Sequence, residues 1–175
     1  MRVLYIHSVS QFGGSSKSMC EMIKAMPEGA VEGTIICPRG QAAEQFEKIG
    51  LDVITAMGVS QWDLTKYGQY KGLRWLILLR EILRIPFSFW ALFRAKKKGP
   101  FDIIHANDIV FTPLALFAKW LFKVPLVLHV RCLVSEQHYS GINGFLFRKI
   151  AKHVDQLIVI DKAVQNTLPD FCKSR

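Results

Sequence analysis

Apolar and polar positions follow two different patterns along this chain. Short continuous apolar runs bounded by turn residues predict buried strands, whereas apolar residues that recur every three or four positions predict helices. The runs predict strands at 2–9, 33–37, 51–56, 102–106, 125–130 and 156–160. Helical spacing occurs around 19–26, at 42–49, within 71–98, and at 112–122, 144–153 and 162–168. Strands and helices are therefore expected to alternate through the whole sequence.

This alternation predicts a parallel sheet with helices on both faces. The strands lack the regular polar positions of a half-exposed sheet, which agrees with burial on both sides. The 175 residues are enough for one ordinary core and too few for two full domains. We expect a single Rossmann-like, doubly wound α/β domain over 1–175, with a polar and aromatic loop at 58–72.

The segment 71–98 changes this picture because it is both the most apolar and the most basic part of the chain. It holds 8 basic residues and 1 acidic residue, a net charge of +7 within a total of +9. As a helix it places Arg74, Arg80, Glu81, Arg84 and Ser88 within about a third of its circumference. A proline at position 86 is expected to kink or break the helix. The longest uncharged run, 85–93, is far shorter than the roughly 20 residues of a membrane span.

One interpretation of 71–98 is a helix lying in a membrane interface, with basic side chains on anionic headgroups. The expected membrane contacts are Trp75, Arg84, Phe89, Trp90, Phe93, Arg94, Lys96, Lys97 and Lys98. The alternatives are a core helix followed by a solvated basic turn, and a helix that docks on a protein partner. Nucleic acid is not an expected partner, because the basic residues are mixed with bulky aliphatic side chains.

Polar residues follow the predicted strands at one edge of the sheet. In parallel α/β sheets ligands bind beyond the carboxyl ends of the strands. That rule selects as candidate binding residues Gly13, Gly14, Ser15, Lys17, His105, Asn107, His129 and Arg131, with His7 closing the first strand. Adjacent glycines before a helix suit a phosphate group, and an imidazole beside a guanidinium suits hydroxyls and phosphate. The structural alternatives are a plain turn capped by Ser15 or Ser16, a packed histidine and a surface cation.

Other common sites are excluded by spacing. The glycine turn matches neither the dinucleotide fingerprint G-x-G-x-x-G nor the phosphate loop G-x-x-x-x-G-K-[ST]. Asp108 is the one carboxylate within plausible reach of the edge. The four cysteines show no metal-ligand spacing, so no metal and no cofactor are expected. Sparse cysteine and an N-terminus unlike a signal peptide favour a cytoplasmic protein.

Four segments in this order resemble the N-terminal domain of GT-B-type retaining glycosyltransferases of family 4. They are Phe12–Ser15 after the first strand, Phe101–Asn107, Val124–Arg131 and Asp155–Ala163. The resemblance implies that Gly13 and Gly14 line the cleft near the donor phosphates. It also implies that His129 lies beside the transferred sugar, with His105 and Asn107 on the acceptor side. Members commonly have serine where this chain has Asp161.

In this family a second Rossmann-like domain holds most of the nucleotide-sugar, and the 175 residues include no such domain. The resemblance therefore implies an acceptor-binding domain, inactive alone, whose donor domain is supplied in cis or in trans. The implied partners are a nucleotide-sugar and a lipid-linked or cell-envelope glycan acceptor, at the inner face of the cytoplasmic membrane. The alternative function is a non-catalytic module that binds a nucleotide or phosphorylated ligand, or a protein-docking domain.

Overall fold

Six parallel strands form the centre of the molecule. The computed structural model describes residues 1–66, 75–135 and 140–173. The strands are β1 (Arg2–Ile6), β2 (Glu32–Pro38), β3 (Asp52–Ala56), β4 (Ile103–Ala106), β5 (Leu126–Val130) and β6 (Gln156–Val159). They pair in the order β3-β2-β1-β4-β5-β6, and every neighbouring pair is parallel. The predicted strands are confirmed, with ends shifted by no more than a few residues.

Helices connect the strands and cover both faces of the sheet. They are α1 (Gly14–Lys24), α2 (Gln41–Lys48), α3 (Trp75–Lys97), α4 (Thr112–Phe122), α5 (Gly141–His153) and α6 (Lys162–Thr167), with short 3-10 turns at Ile109–Phe111 and Asp170–Cys172. This is the Rossmann-like α/β fold that the sequence predicts. The strand order reverses direction between β1 and β4, the position at which such sheets bind ligands.

The sheet separates two apolar clusters. In β1, Leu4 and Ile6 pack on the side of α3, α4 and α5, whereas Val3 and Tyr5 pack on the side of α1 and α2. Successive side chains of a strand point to opposite faces, so a strand that is buried on both sides must be apolar throughout. This explains why the strands appear in the sequence as unbroken apolar runs.

Helix α3 differs from the prediction in two ways. It runs without a break from Trp75 to Lys97 with Pro86 inside it, so of the predicted kink or break at the proline, a break does not occur. Pro86 is exposed. Proline has no N–H, so one carbonyl in the preceding turn loses its helical partner, and on the exposed side it can accept a hydrogen bond from water instead. The polarity of the helix is also inverted, because Glu81 is only 3% exposed and Leu83 is 64% exposed.

The loop before α3 explains this inversion. The backbone N–H of Ser60 donates to Ser88 Oγ (2.8 Å), and that of Gln61 donates to Glu81 Oε2 (3.0 Å). The polar side chains of α3 therefore point inward to hold the loop, and the apolar ones are left outside. A Cβ at Gly58 would lie 2.6 Å from the Arg84 side chain, so glycine is needed for Arg84 to pass this loop.

Residues 67–74 and 136–139 lie outside the described part of the chain. The end of the predicted loop at 58–72, the start of the basic segment and Arg74 fall among them. Within the described residues, no helix is long and apolar enough to cross a membrane.

Candidate functional site

Three histidines gather where β1, β4 and β5 end. The His105 and His129 rings lie nearly parallel, with centroids 5.8 Å apart and an interplanar angle of 22°. His7 follows β1 and contacts the Phe46 ring edge-on at 5.4 Å. His105 contacts Tyr5 of the same sheet face at 5.5 Å. The predicted grouping of polar residues along one edge of the sheet is thus present, on the face that α1 and α2 cover.

The guanidinium of Arg131 organises this group. Its Nε and Nη2 both donate to Asn107 Oδ1, at 3.0 and 2.8 Å, and Nη2 also lies 3.2 Å from His129 Nδ1. Its Nη1 donates to Ser18 Oγ at 3.1 Å, which reaches across to α1. A guanidinium has five N–H groups and no acceptor. One N–H of Nη1 is left without a hydrogen-bond partner among the described residues.

These contacts determine the protonation of His129. Because Arg131 can only donate, His129 Nδ1 must accept, and the neutral imidazole then carries its proton on Nε2. Burial and the charge of Arg131 lower the pKa of His129 to about 4, so the ring is neutral at pH 7. Its Nε2–H makes no hydrogen bond to the described residues and is a donor for a ligand hydroxyl or phosphate.

The network continues from Arg131 to the glycine turn. With Oδ1 bound to Arg131, the Asn107 amide directs Nδ2 to His7 Nδ1 at 3.0 Å. His7 therefore accepts through Nδ1 and donates through Nε2 to Ser16 Oγ, also at 3.0 Å. Ser16 in turn donates to the carbonyl of Gln11 at 3.2 Å. One chain of hydrogen bonds thus links β5, β4 and β1 to the start of α1.

The charges at this edge are unbalanced. Burial lowers the pKa of His7 and of His105 to about 4, with the charge of Arg131 as a further cause, so all three edge histidines are neutral at pH 7. Arg131 forms no ion pair with the described residues, and burial lowers its pKa too. Asp108 is close enough for its charge to oppose this effect on the pKa of Arg131, although the two side chains form no direct ion pair. A partly buried guanidinium with a spare N–H suits an anionic ligand.

The glycine turn is open toward this edge. Gly13 is the N-cap residue of α1 and caps it without a side chain, so the alternative in which Ser15 or Ser16 is the N-cap does not apply. A Cβ built on Gly13 or Gly14 would meet no atom within 4 Å. The domain itself therefore leaves free space beside both glycines. Lys17 is exposed in the first turn of α1, and Ser15 is partly buried, its carbonyl 3.5 Å from Asn107 Nδ2.

Three candidate residues are buried to different effect. Asn107 is 1% exposed and fully engaged in the network, so in this structure its side chain does not face an acceptor. His105 is 6% exposed, and its buried Nε2 has no hydrogen-bond partner. His129 is 8% exposed, but its Nε2 is not among the fully buried atoms that lack a partner.

The carboxylates near the edge are structural. Asp108 accepts from the N–H of Ile109 at 2.6 Å and from the thiol of Cys132 at 3.7 Å, and burial raises its pKa. Asp161 caps α6 by accepting from the N–H of Val164 at 2.7 Å. Within the described residues, no group of three or more His, Cys, Asp or Glu side chains could hold a metal ion.

The predicted membrane contacts are divided between surface and interior. Trp90, Phe93, Arg94, Lys96 and Lys97 are exposed, with the Arg94 guanidinium 4.7 Å from the centre of the Trp90 ring.

The remaining predicted membrane contacts are engaged elsewhere or undescribed. Phe89 packs against Phe117 with centroids 4.5 Å apart, and Arg84 pairs with Glu81 at 2.9 Å. Lys98 donates to the Asp52 carboxylate at 2.6 Å. The side chain of Trp75 lies outside the described part of the structure.

The sequence placed His7 at this edge without assigning it a binding role, and it gave no binding role to Ser16 or Ser18. His7 binds Asn107 and Ser16, and Ser18 binds Arg131. Serines are common in helices, so neither serine carried a signal of its own. The partner of Ser18 is also 113 positions away in the sequence.

Comparisons with known proteins agree with the fold. The family model described as a glycosyl transferase 4-like domain matches residues 13–171. Among solved structures, Anabaena Alr3699/HepE in complex with UDP and glucose has a TM-score of 0.65 at 17% identity, over 96% of this chain and 40% of that one.

Two further solved structures share the fold. Acinetobacter baumannii MurG has a TM-score of 0.56 at 12% identity, over 96% of this chain and 42% of that one. The lipopolysaccharide outer core galactosyltransferase WaaB, in its apo form, has a TM-score of 0.57 at 14% identity, over 95% and 41%. The chain thus spans about 40% of the length of these proteins. No curated protein matches it by sequence.

Proposed function

The chain belongs to the glycosyl transferase 4-like family, and on that premise we propose that it is the acceptor-binding domain of a retaining glycosyltransferase. In the proposed reaction an acceptor hydroxyl forms a glycosidic bond to the anomeric carbon of a nucleotide-sugar. The bond from that carbon to the diphosphate breaks, the hydroxyl proton leaves and the nucleoside diphosphate is released.

The observation that carries this proposal is the pair formed by His129 and Arg131. The neutral His129 ring offers Nε2–H as a donor, which suits a sugar hydroxyl, and Arg131 supplies a guanidinium with one N–H that has no partner among the described residues. The space beside Gly13 and Gly14 leaves room for a ligand to approach the backbone at the start of α1. Together these groups suit a ligand that contains both a sugar and a phosphate.

The nature of the donor is also part of the proposal. Anabaena HepE binds UDP and glucose in the solved structure that shares this fold, which supports a nucleotide-sugar donor for this chain. Because the chain spans about 40% of that protein, we propose that most donor contacts come from a second domain outside these 175 residues. The domain alone would then bind nucleotide weakly and transfer no sugar.

We further propose that the acceptor is a lipid-linked or cell-envelope glycan reached at the inner face of the cytoplasmic membrane. Support comes from α3, whose exposed side chains include Leu83, Trp90 and Phe93 beside the basic residues Arg94 and Lys97. Aromatic and aliphatic side chains next to cations are typical of helices that bind an anionic lipid surface.

The test measures release of UDP from a panel of UDP-sugars, with an extract of the membrane glycolipids as acceptor. It uses the 175-residue chain alone and the chain together with a donor-binding domain, fused or added separately. Activity is expected only in the second case. The His129→Ala variant should lower kcat by roughly a hundredfold, because one preorganised donor to the reacting sugar is lost.

His153→Ala is the matched control, since His153 ends α5 and lies outside the edge network. Sugar transfer by the isolated chain, or equal kcat for both histidine variants, would contradict the proposal. Tight nucleotide binding by the isolated chain in calorimetry, without transfer in either case, would favour the non-catalytic binding module instead.

A further inference from the structure

An apolar cavity lies on the far side of the β4 end from the histidines. It measures about 370 Å³ and lies between α3, the loop at 60–62 and the first turns of α4 and α5. Its walls are mainly apolar, with Leu78 and Ile82 from α3, Phe117 from α4 and Ile142 from α5. The volume falls in the range of roughly 300–1,000 Å³ that small-molecule pockets have.

Two polar side chains in the wall already have partners within the protein. Ser88 Oγ accepts from the N–H of Ser60 and donates to the carbonyl of Arg84 at 3.0 Å. Glu81 Oε2 accepts from the N–H of Gln61, and Glu81 Oε1 accepts from the two arginines described below. A ligand in this cavity therefore meets mainly hydrocarbon, together with the side chain of Gln61.

The cavity opens on the exposed apolar surface of α3. Ile82 and Ile85 both line it, yet they are 51% and 37% exposed. Their neighbours Leu79 and Leu83 are exposed as well. A hydrocarbon chain can thus pass from that surface into the cavity without crossing polar groups.

Two guanidinium groups lie beside the cavity wall, because both bind Glu81, which lines it. Arg80 and Arg84 both bind Glu81 Oε1, at 2.8 and 2.9 Å, so two guanidinium groups share one carboxylate. The Arg80 side chain is more than half exposed and remains accessible to solvent. An apolar cavity beside a net positive charge is complementary to an anionic group attached to a hydrocarbon chain.

We propose that this cavity binds the hydrocarbon chain of an anionic phospholipid-like acceptor, with the phosphate at Arg80 and Arg84. This rests on the proposed function, because it identifies the lipid part of the acceptor whose glycan would reach the histidine edge. α4 and α5 begin at the carboxyl edge of the sheet, so the cavity and the edge lie at the same end of the molecule.

The experiment uses Trp62, which lines the cavity and donates through Nε1 to Asn143 Oδ1 at 3.0 Å. The other three tryptophans are changed to Phe, and ω-bromodecyl phosphate is titrated below its micellar concentration while Trp62 fluorescence is recorded. We expect saturable quenching, and no quenching with methyl phosphate. Calorimetry of the unsubstituted protein with decyl phosphate gives the same affinity independently of the tryptophan changes.

Leu78→Phe and Leu79→Phe form the matched pair, because they are consecutive on α3 and only Leu78 lines the cavity. L78F fills the cavity and should weaken the binding of decyl phosphate about tenfold. L79F should weaken it by less than about twofold. Arg80→Gln should weaken the binding of decyl phosphate but not the binding of decanol. Quenching that does not saturate, or equal affinities of L78F and L79F, would overturn the inference. No sugar donor is involved, so a failure of glycosyl transfer would leave this result intact.

Discussion

At the scale of single residues, Arg131 decides the chemistry of the candidate site. It donates to Asn107 and His129, and through Asn107 it determines which nitrogen of His7 accepts. His7 and His129 are thereby held in defined tautomers, and burial keeps both rings neutral at pH 7. A site of this kind binds anions and hydroxyls without acting as a strong base.

The buried histidines predict how stability changes with pH. Their pKa values near 4 lie below the ordinary value of 6.5, so the unfolded chain binds more protons between these two values. The stability that these neutral histidines contribute should be complete above about pH 6.5 and should be lost as the pH drops toward 4. One pKa unit corresponds to about 1.36 kcal/mol, so the total loss should reach several kcal/mol. Urea unfolding at a series of pH values measures it.

His105→Phe is the control for this prediction. It keeps a ring against Tyr5 and His129 and removes one group that titrates and one buried nitrogen without a partner. Its unfolding free energy should therefore depend less steeply on pH than that of the unchanged protein. An identical pH dependence would show that His105 does not titrate on unfolding in this window.

At the scale of elements, α3 shows how a loop can reverse the polarity of a helix. The buried carboxylate and hydroxyl of Glu81 and Ser88 serve the backbone of the preceding loop, and this side of the helix faces the protein. In the second half of α3, Ala91, Leu92 and Ala95 return to the core. Helical periodicity alone predicts the polar stripe but not the side to which it turns.

Pro86 provides the test at this scale. A proline inside a helix removes one backbone hydrogen bond, and here the carbonyl affected is that of Ile82. Pro86→Ala should raise the free energy of unfolding by about 1–3 kcal/mol, because the position is exposed and already helical. Urea denaturation measures the change. Leu83→Ala, at an exposed position of the same helix, should alter stability by less than about 0.5 kcal/mol. An unchanged or lower stability of P86A would contradict the assignment.

At the scale of the whole molecule, the two faces of the sheet have different surroundings. The side of α1 and α2 carries the histidine edge, and the side of α3, α4 and α5 carries exposed aromatics. Trp120 of α4 and Phe145 of α5 are more than half exposed, and Lys149 lies 5.3 Å from the Phe145 ring. The apolar and basic surface of α3 therefore extends onto the two neighbouring helices.

Vesicle flotation tests this surface. The unchanged chain should float with vesicles rich in phosphatidylglycerol at 0.1 M salt and less at 1 M, where the Debye length falls from about 10 Å to about 3 Å. L83S/F93S should reduce flotation strongly at both salt concentrations, because apolar contact with the acyl chains is lost. The I158S/I160S variant is the control, since Ile158 lies on the opposite sheet face from the cluster that α3 joins. Equal flotation of both variants would contradict the proposal that this surface binds membranes.

Much of the fold was predictable from sequence, and the reason is local. A strand buried on both faces needs a continuous apolar run, and helix α4 needs apolar residues at helical spacing between Thr112 and Phe122. Both patterns involve only residues that are close together in the sequence, so they can be recognised there. Of the kink or break expected at Pro86, a break does not occur, because an exposed proline can be accommodated in a helix that packs along its other side.

The alternation of strands and helices can be read from the order of side chains, and with it the edge at which His105, Asn107, His129 and Arg131 meet. These properties depend on the order and local periodicity of side chains. Folding settles which of these residues are open, which imidazole nitrogens carry protons and which side of α3 faces outward. Those properties depend on contacts between residues far apart in the chain, such as Asn107 with His7, and no local pattern encodes such a contact.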